Sequence, residues 1–163
     1  MATEGNNLSA YNIEHVPNGA DFKVGIVVSE WNESITGNLL KGVYDTLVKH
    51  GVKEANIMVQ PVPGSFELPL ASQYLLEKNN VDGIIAIGSV IQGETRHFEF
   101  VCQATSQGIK DVSLKYNKPV IFCVLTDDTI QQAIERSDGK HGNKGIECAV
   151  ACLKMIHLKR IIN

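Results

Sequence analysis

The stretch Asp82-Gly83-Ile84-Ile85-Ala86-Ile87-Gly88-Ser89-Val90-Ile91-Gln92-Gly93-Glu94-Thr95-Arg96-His97-Phe98 decides how this chain is read. Its first part, Gly83 to Ile87, is a continuous apolar run rich in β-branched residues, the pattern of a strand buried on both faces. Its second part, from Gly88 onward, turns polar and carries the chemistry. Gly88 and Gly93 are spaced as in a phosphate-cradling loop, but Glu94 stands where the lysine of such a loop belongs, which excludes a nucleoside-triphosphate site. No GxGxxG follows any strand, which argues against a dinucleotide fold. Gly93-Glu94-Thr95 is expected to open a helix, where free N–H groups and the helix dipole suit a phosphate. His97 follows two residues later. A lone histidine is more often structural, but beside an anion pocket at a helix start it is placed to carry protons near neutral pH.

Working outward, the same alternation recurs. Residues 23–28 form a first apolar strand, and Leu39, Leu40, Val43, Leu47 and Val48 then recur at helical spacing until Gly51 stops them. A second strand is expected over 55–60, ended by Pro61 and Pro63. A helix over 68–78 follows, with Leu70, Tyr74 and Leu75 facing inward. Val101, Ala104, Thr105 and Val112 mark the helix after the decisive stretch, and 119–125 is the fourth strand. Two closing helices follow at 128–137 and 144–158, the latter presenting Ile146, Ala149, Val150, Leu153 and Ile156 on one face. Strands alternating with helices predict an α/β three-layer sandwich, with a four-stranded parallel sheet flanked by helices on both faces. Ligands in such folds sit beyond the carboxyl ends of the strands.

A length of 163 residues fits one domain, expected over 21–163, behind a tail over 1–20 that lacks sustained periodicity. Hydrophobic residues at 44% and charged residues at 20% describe a globular chain and exclude fibrous or disordered classes. Fifteen Lys and Arg against 18 Asp and Glu give a net charge of −3, so the basic excess of a nucleic-acid or anionic-membrane binder is missing. No apolar run approaches the roughly 18 residues of a membrane span, and residues 1–20 contain no apolar signal core. Cys102, Cys123, Cys148 and Cys152 lack metal-ligand spacing, so buried reduced thiols in an intracellular protein, with no metal, are expected.

The other segments after strands add candidates. Ser29-Glu30-Trp31-Asn32-Glu33-Ser34 holds the only tryptophan, either a packing residue at a helix start or a stacking platform for a planar ring. Pro61-Val62-Pro63-Gly64-Ser65-Phe66-Glu67-Leu68-Pro69 leads into a helix. Glu67 there reads either as a dipole-favoured first-turn acid or, with Ser65 and backbone amides, as part of a polyhydroxyl site. Arg136, Lys140 and Lys144, in the glycine-rich stretch 136–145, form either a solvated basic turn or an anion clamp, with Arg136 supplying planar two-pronged contacts.

Three motifs in unbroken order carry a resemblance. They are residues 62–69, residues 88–98, and Ala133-Ile134-Glu135-Arg136 with Gly142-Asn143-Lys144-Gly145, while Ser29-Glu30-Trp31-Asn32 is similar to a fourth, after the first strand. Across about 22–158 the chain resembles the lumazine synthases, whose sheet is flavodoxin-like. Such enzymes join 5-amino-6-(D-ribitylamino)uracil to 3,4-dihydroxy-2-butanone 4-phosphate, giving 6,7-dimethyl-8-ribityllumazine and orthophosphate without a cofactor. The resemblance implies that His97 is the acid–base residue, and that Gly93, Glu94, Thr95 and Arg136 hold the phosphate. It implies that Trp31 stacks on the pyrimidine, that Ser65, Phe66 and Glu67 bind the ribityl chain, and that Ser89, Val90 and Ile91 meet the uracil edge. Phe122 would reach the ring from a neighbouring subunit, and Lys144 would lie near the polyol. Gln92 departs from the Arg or Lys often found at its place in the family.

The resemblance also implies a homo-oligomer with active sites at subunit interfaces. The stretch 136–145 lacks the insertion of relatives that stop at pentamers, which leaves a sixty-subunit icosahedral capsid open. Riboflavin synthase is a candidate partner, and the setting is cytoplasmic, or a plastid in a plant. Two other classes stand beside the enzyme: a non-catalytic flavin- or lumazine-binding shell protein of the same fold, and an unrelated phosphate-binding module. Because one four-stranded sheet offers only an open cleft, Phe122 and the 136–145 turn are expected to act as lids between subunits, over a positively lined pocket.

Overall fold

The computed structural model describes residues 7–162. Strands β1 (Val24–Ser29), β2 (Ile57–Val62), β3 (Gly83–Ile91) and β4 (Val120–Asp127) pair in the order β2-β1-β3-β4, every neighbour parallel. Helices α1 (Glu33–Lys49), α2 (Leu68–Lys78), α3 (His97–Tyr116), α4 (Ile130–Ser137) and α5 (Lys144–Ile162) cover it. A hairpin of two-residue strands, β5 (Asp138–Gly139) and β6 (Gly142–Asn143), joins the last two helices. The expected three-layer α/β sandwich with a flavodoxin-like parallel sheet is the observed one. No helix among the described residues is long and apolar enough to cross a membrane.

The apolar runs of β1, β3 and β4 are continuous because successive side chains enter different layers. Val24, Ile26, Val28, Ile85, Ile87, Cys123 and Leu125 pack toward Leu39, Val43 and Leu47 of α1, Ala133 of α4, and Cys148, Cys152, Leu153 and Ile156 of α5. Val27, Ile84, Ala86, Val120 and Val124 pack the opposite way, against Leu68, Leu75 and Leu76 of α2 and Ile109 and Val112 of α3. All four cysteines are free; Cys102 is half-buried and the other three are buried.

Helix α5 starts tightly against α1 at Gly145. A Cβ there would fall 2.2 Å from the Leu39 carbonyl oxygen and 2.8 Å from Asn143 Oδ1. The Asn143 side chain ties the same junction, donating to the carbonyls of Asn38 (2.9 Å) and Ser137 (2.8 Å) and accepting from Gly145 N–H (2.8 Å). This fixes the turn that presents Arg136 and Lys144.

Four local expectations are corrected. Leu70 and Tyr74 are 52% and 51% exposed, because the stripe facing the sheet is Leu68, Ser72, Leu75 and Leu76, at helical spacing. Val48 likewise points outward on α1. Pro61 lies inside β2 rather than ending it, which an edge strand tolerates because one of its sides has no ladder to complete. Strand β3 runs on to Ile91, so Ser89, Val90 and Ile91 are strand residues, and α3 begins at His97 rather than at Gly93.

Residues 1–6 of the expected tail lie outside the described residues. From there the chain lies against the domain. Leu8 N–H donates to the His141 carbonyl (2.7 Å), Asn143 N–H to Ser9 Oγ (2.9 Å), and Tyr11 Oη meets His50 Nε2 at 3.0 Å.

Candidate functional site

Strand order reverses at β1, whose neighbours β2 and β3 are reached by crossovers on opposite faces of the sheet. A crevice must open at the carboxyl ends of β1 and β3, where the two connections diverge. A cavity of about 670 Å³ occupies that place. It is lined by Trp31 and Asn32 after β1, by residues 64–67 after β2, by Ser89, Val90 and Ile91 of β3, and by Gly93, Thr95, His97, Phe98 and Val101 at the start of α3.

Trp31 is 70% exposed above this cavity, so the packing reading of that residue is overturned. Its posture is set by the next residue. Asn32 adopts the left-handed conformation (φ 59°), which its short polar side chain tolerates. Asn32 Nδ2 donates to the Ser89 carbonyl (3.0 Å), while its own carbonyl accepts from Ile35 and Thr36 N–H and starts α1. Sequence reading missed Asn32; its only signal there is a residue type that accepts positive φ.

Residues 65–67 make a single tight turn running straight into α2. Ser65 is buried, its carbonyl accepting from Thr105 Oγ1 (3.1 Å), whereas the Phe66 ring is 60% exposed and the Glu67 carboxylate open to solvent. The turn lies so close to β3 that a Cβ on Gly88 would fall 2.5 Å from Ser65 Oγ. Glu67 makes no side-chain hydrogen bond to the helix end, so at the start of α2 it acts on the dipole alone. Ser89 Oγ is buried and has no hydrogen-bond partner among the described residues, an orphaned group at the cavity wall.

His97 is the first residue of α3 and exposed, its N–H donating to Thr95 Oγ1 (3.4 Å). Gly93, Thr95 and His97 share the cavity; the exposed Glu94, between the first two, is not on its wall.

Besides Glu94, three expected residues lie outside the cavity of this chain. Phe122 pairs with Ala86 in β4 and is half-buried in the α2/α3 layer. Lys144 opens α5 with Nζ on Glu147 Oε1 at 2.7 Å. Arg136 sits in the last turn of α4, Nη1 donating to the Gln132 carbonyl (3.0 Å) and 3.7 Å from Asp127 Oδ1. Arg136 and Lys144 each have their own carboxylate, and no Lys or Arg lines the cavity, so within one chain the pocket is not positively lined. The reason is topological: α4 follows β4, one strand beyond β3. Asp127, also missed from sequence, is buried at the end of β4, and burial raises its carboxyl pKa against the opposing pull of Arg136. Among the described residues no group of three His, Cys, Asp or Glu could hold a metal ion.

Comparison with known proteins shows the family of the chain. The family model for 6,7-dimethyl-8-ribityllumazine synthase matches residues 21–160. Curated proteins named 6,7-dimethyl-8-ribityllumazine synthase are similar throughout. The one from Porphyromonas gingivalis is 55% identical over 161 residues, 99% of this chain and 100% of that protein. The one from Christiangramia forsetii is 53% identical over 161 residues, covering 98% and 96%. The one from Cytophaga hutchinsonii is 54% identical over 156 residues, covering 96% and 98%. Matched by the family model over most of its length and by relatives at about half identity, the chain belongs to the 6,7-dimethyl-8-ribityllumazine synthase family.

Proposed function

We propose that the cavity between Trp31 and His97 is where this chain builds the lumazine ring. The chain is a transferase of riboflavin biosynthesis, condensing 5-amino-6-(D-ribitylamino)uracil with 3,4-dihydroxy-2-butanone 4-phosphate to 6,7-dimethyl-8-ribityllumazine, orthophosphate and water. The carrying observation is that one crevice combines an exposed indole, an orphaned serine hydroxyl and an exposed imidazole at a helix start. A non-catalytic binder of the same fold would need the first two but no proton carrier.

Trp31 stacks on the pyrimidine while Ser89, Val90 and Ile91 read its edge, the unpartnered Ser89 Oγ finding its hydrogen bond there. Ser65, Phe66 and Glu67 take the ribityl chain, with polar atoms of the turn facing its hydroxyls. Gly93, Glu94 and Thr95 bind the phosphate just ahead of α3, where backbone N–H groups and the helix dipole favour an anion. Arg136 adds its guanidinium from the 136–145 turn of a neighbouring subunit. The amine attacks the ketone and loses water to form an imine, phosphate departs by elimination, and ring closure expels a second water; each step moves a proton, which His97 gives or takes.

The catalytic domain is 21–163, behind the tail over 1–20. The active unit is a homopentamer, with assembly to a sixty-subunit capsid and contact with riboflavin synthase as further levels, in a cytoplasmic setting. Support for a shared site comes from what one chain lacks: no cation lines its cavity, and Phe122 and Lys144 stand outside it. Exposed Met58, Leu70 and Tyr74 give the β2–α2 side an apolar surface suited to a neighbour.

Because Trp31 is the only tryptophan, its fluorescence reports this site alone. Titration with the ribitylaminouracil substrate is expected to quench it saturably, and Trp31→Phe to abolish the signal while retaining turnover. Quenching that never saturates, or a kinetic constant unrelated to the quenching midpoint, would remove Trp31 from the pyrimidine site.

A further inference from the structure

Trp31 is 70% exposed and its indole N–H has no hydrogen-bond partner among the described residues, so packing alone does not hold the ring where it stands. Its place follows from its backbone, which is tied on both sides. Before it, Glu30 N–H donates to the Val62 carbonyl (2.8 Å) at the end of β2. After it, Asn32 Nδ2 donates to the Ser89 carbonyl (3.0 Å) of β3. The β1–β3 ladder stops at Val28 and Ile87, so the Asn32 amide takes a carbonyl two residues beyond the last pair. Glycine or asparagine suits the left-handed backbone at Asn32 (φ 59°, ψ 47°), but of the two only asparagine carries an amide that can make this bond. Trp31, Asn32 and Ser89 all line the cavity. One hydrogen bond therefore joins the loop that presents the indole to the strand that carries the unpartnered Ser89 Oγ.

We propose that Asn32 is a positioning residue for the pyrimidine: its bond to β3 sets the separation between the Trp31 ring and the edge formed by residues 89–91, and so the width of the slot the pyrimidine enters. This rests on the pyrimidine-site reading above. The role runs through Trp31. The Asn32 amide is engaged by the strand, and what it supplies is a loop already fixed before substrate arrives. A loop free to swing would have to be ordered on binding, and that ordering would weaken affinity for the planar substrate alone. The butanone phosphate, seated ahead of α3, makes no use of this loop.

Asn32→Gly tests this, because glycine keeps the left-handed backbone and removes the amide. The KM for ribitylaminouracil and the midpoint of Trp31 quenching should both rise roughly three- to tenfold, the worth of one hydrogen bond. The fluorescence anisotropy of Trp31 in the free protein should fall, since the ring is no longer held. kcat and the KM for the butanone phosphate should stay within about twofold. Asn32→Asp, which keeps the shape but sets an acceptor against the Ser89 carbonyl, should raise the same two quantities at least as far. In a Trp31→Ala background, Asn32→Gly should not raise the ribitylaminouracil KM further. An unchanged anisotropy in Asn32→Gly, or wild-type KM in Asn32→Asp, overturns the proposal. So does an equal rise in the Trp31→Ala background, or a parallel loss for both substrates with a lowered thermal midpoint. If ribitylaminouracil does not quench Trp31 in the wild type, the pyrimidine-site reading fails and this role with it. If it quenches with the same midpoint in wild type and Asn32→Gly, only the positioning role fails.

Discussion

His97→Ala should lower kcat by roughly 10²-fold while leaving the KM of both substrates nearly unchanged. His97 carries no substrate-binding geometry of its own: its backbone is fixed by the first turn of α3 and its N–H is already given to Thr95 Oγ1. What the substitution removes is an exposed imidazole at the cavity wall. General acid–base catalysis typically supplies about 10²–10⁴. The low end is expected because condensation of an amine with a ketone proceeds slowly unaided, and because positioning by Trp31 and residues 64–67 survives. Added imidazole should restore part of the rate. A variant that turns over at the wild-type rate with both substrates saturating would take His97 out of the mechanism.

Arg136→Ala should raise the KM for the butanone phosphate by roughly 10- to 100-fold, the value of a charge-assisted hydrogen bond of about 1.5–3 kcal/mol. The KM for ribitylaminouracil should not move. Arg136→Lys should recover only part of the loss, because an ammonium supplies charge without the planar fork. Removing the guanidinium also strands Asp127 in its buried position, so a lowered denaturation midpoint is expected alongside the kinetic effect. Separate titrations of the two substrates distinguish these consequences, since lost folding reduces active enzyme while a lost contact shifts one KM alone. Equal affinity for the phosphate substrate in wild type and variant would contradict the clamp.

The sheet was legible because β1, β3 and β4 are buried on both faces, and their runs of Val and Ile can hardly be anything else. Strand β2 was harder to bound: at the edge, Met58 and Val59 stay partly exposed and Pro61 is tolerated, so the boundary signals weaken. Helix α2 misled for a related reason. Leu70 and Tyr74 are apolar yet face outward, and a single sequence cannot distinguish a stripe facing the sheet from one exposed beside an edge strand. In the site, the wall residues Trp31, Ser65 and His97 were readable from their places after the strands, and Ser89 only through the family resemblance. What the sequence hid was pairing across elements: that Asn32 reaches Ser89, and that Asp127 stands beside Arg136. Those contacts arise from strand register, which no local pattern encodes. The same geometry leaves the cavity of one chain without a Lys or Arg among the described residues, because α4 hangs one strand beyond the crevice.

The most direct measurement mixes the purified protein with both substrates and follows orthophosphate release and lumazine fluorescence together. Phosphate and lumazine should appear in equal amounts, far above the uncatalysed background, with turnover reduced as stated in His97→Ala. Release of phosphate without lumazine, or a rate no faster than the substrates alone, would contradict the assignment of ring formation to this cavity.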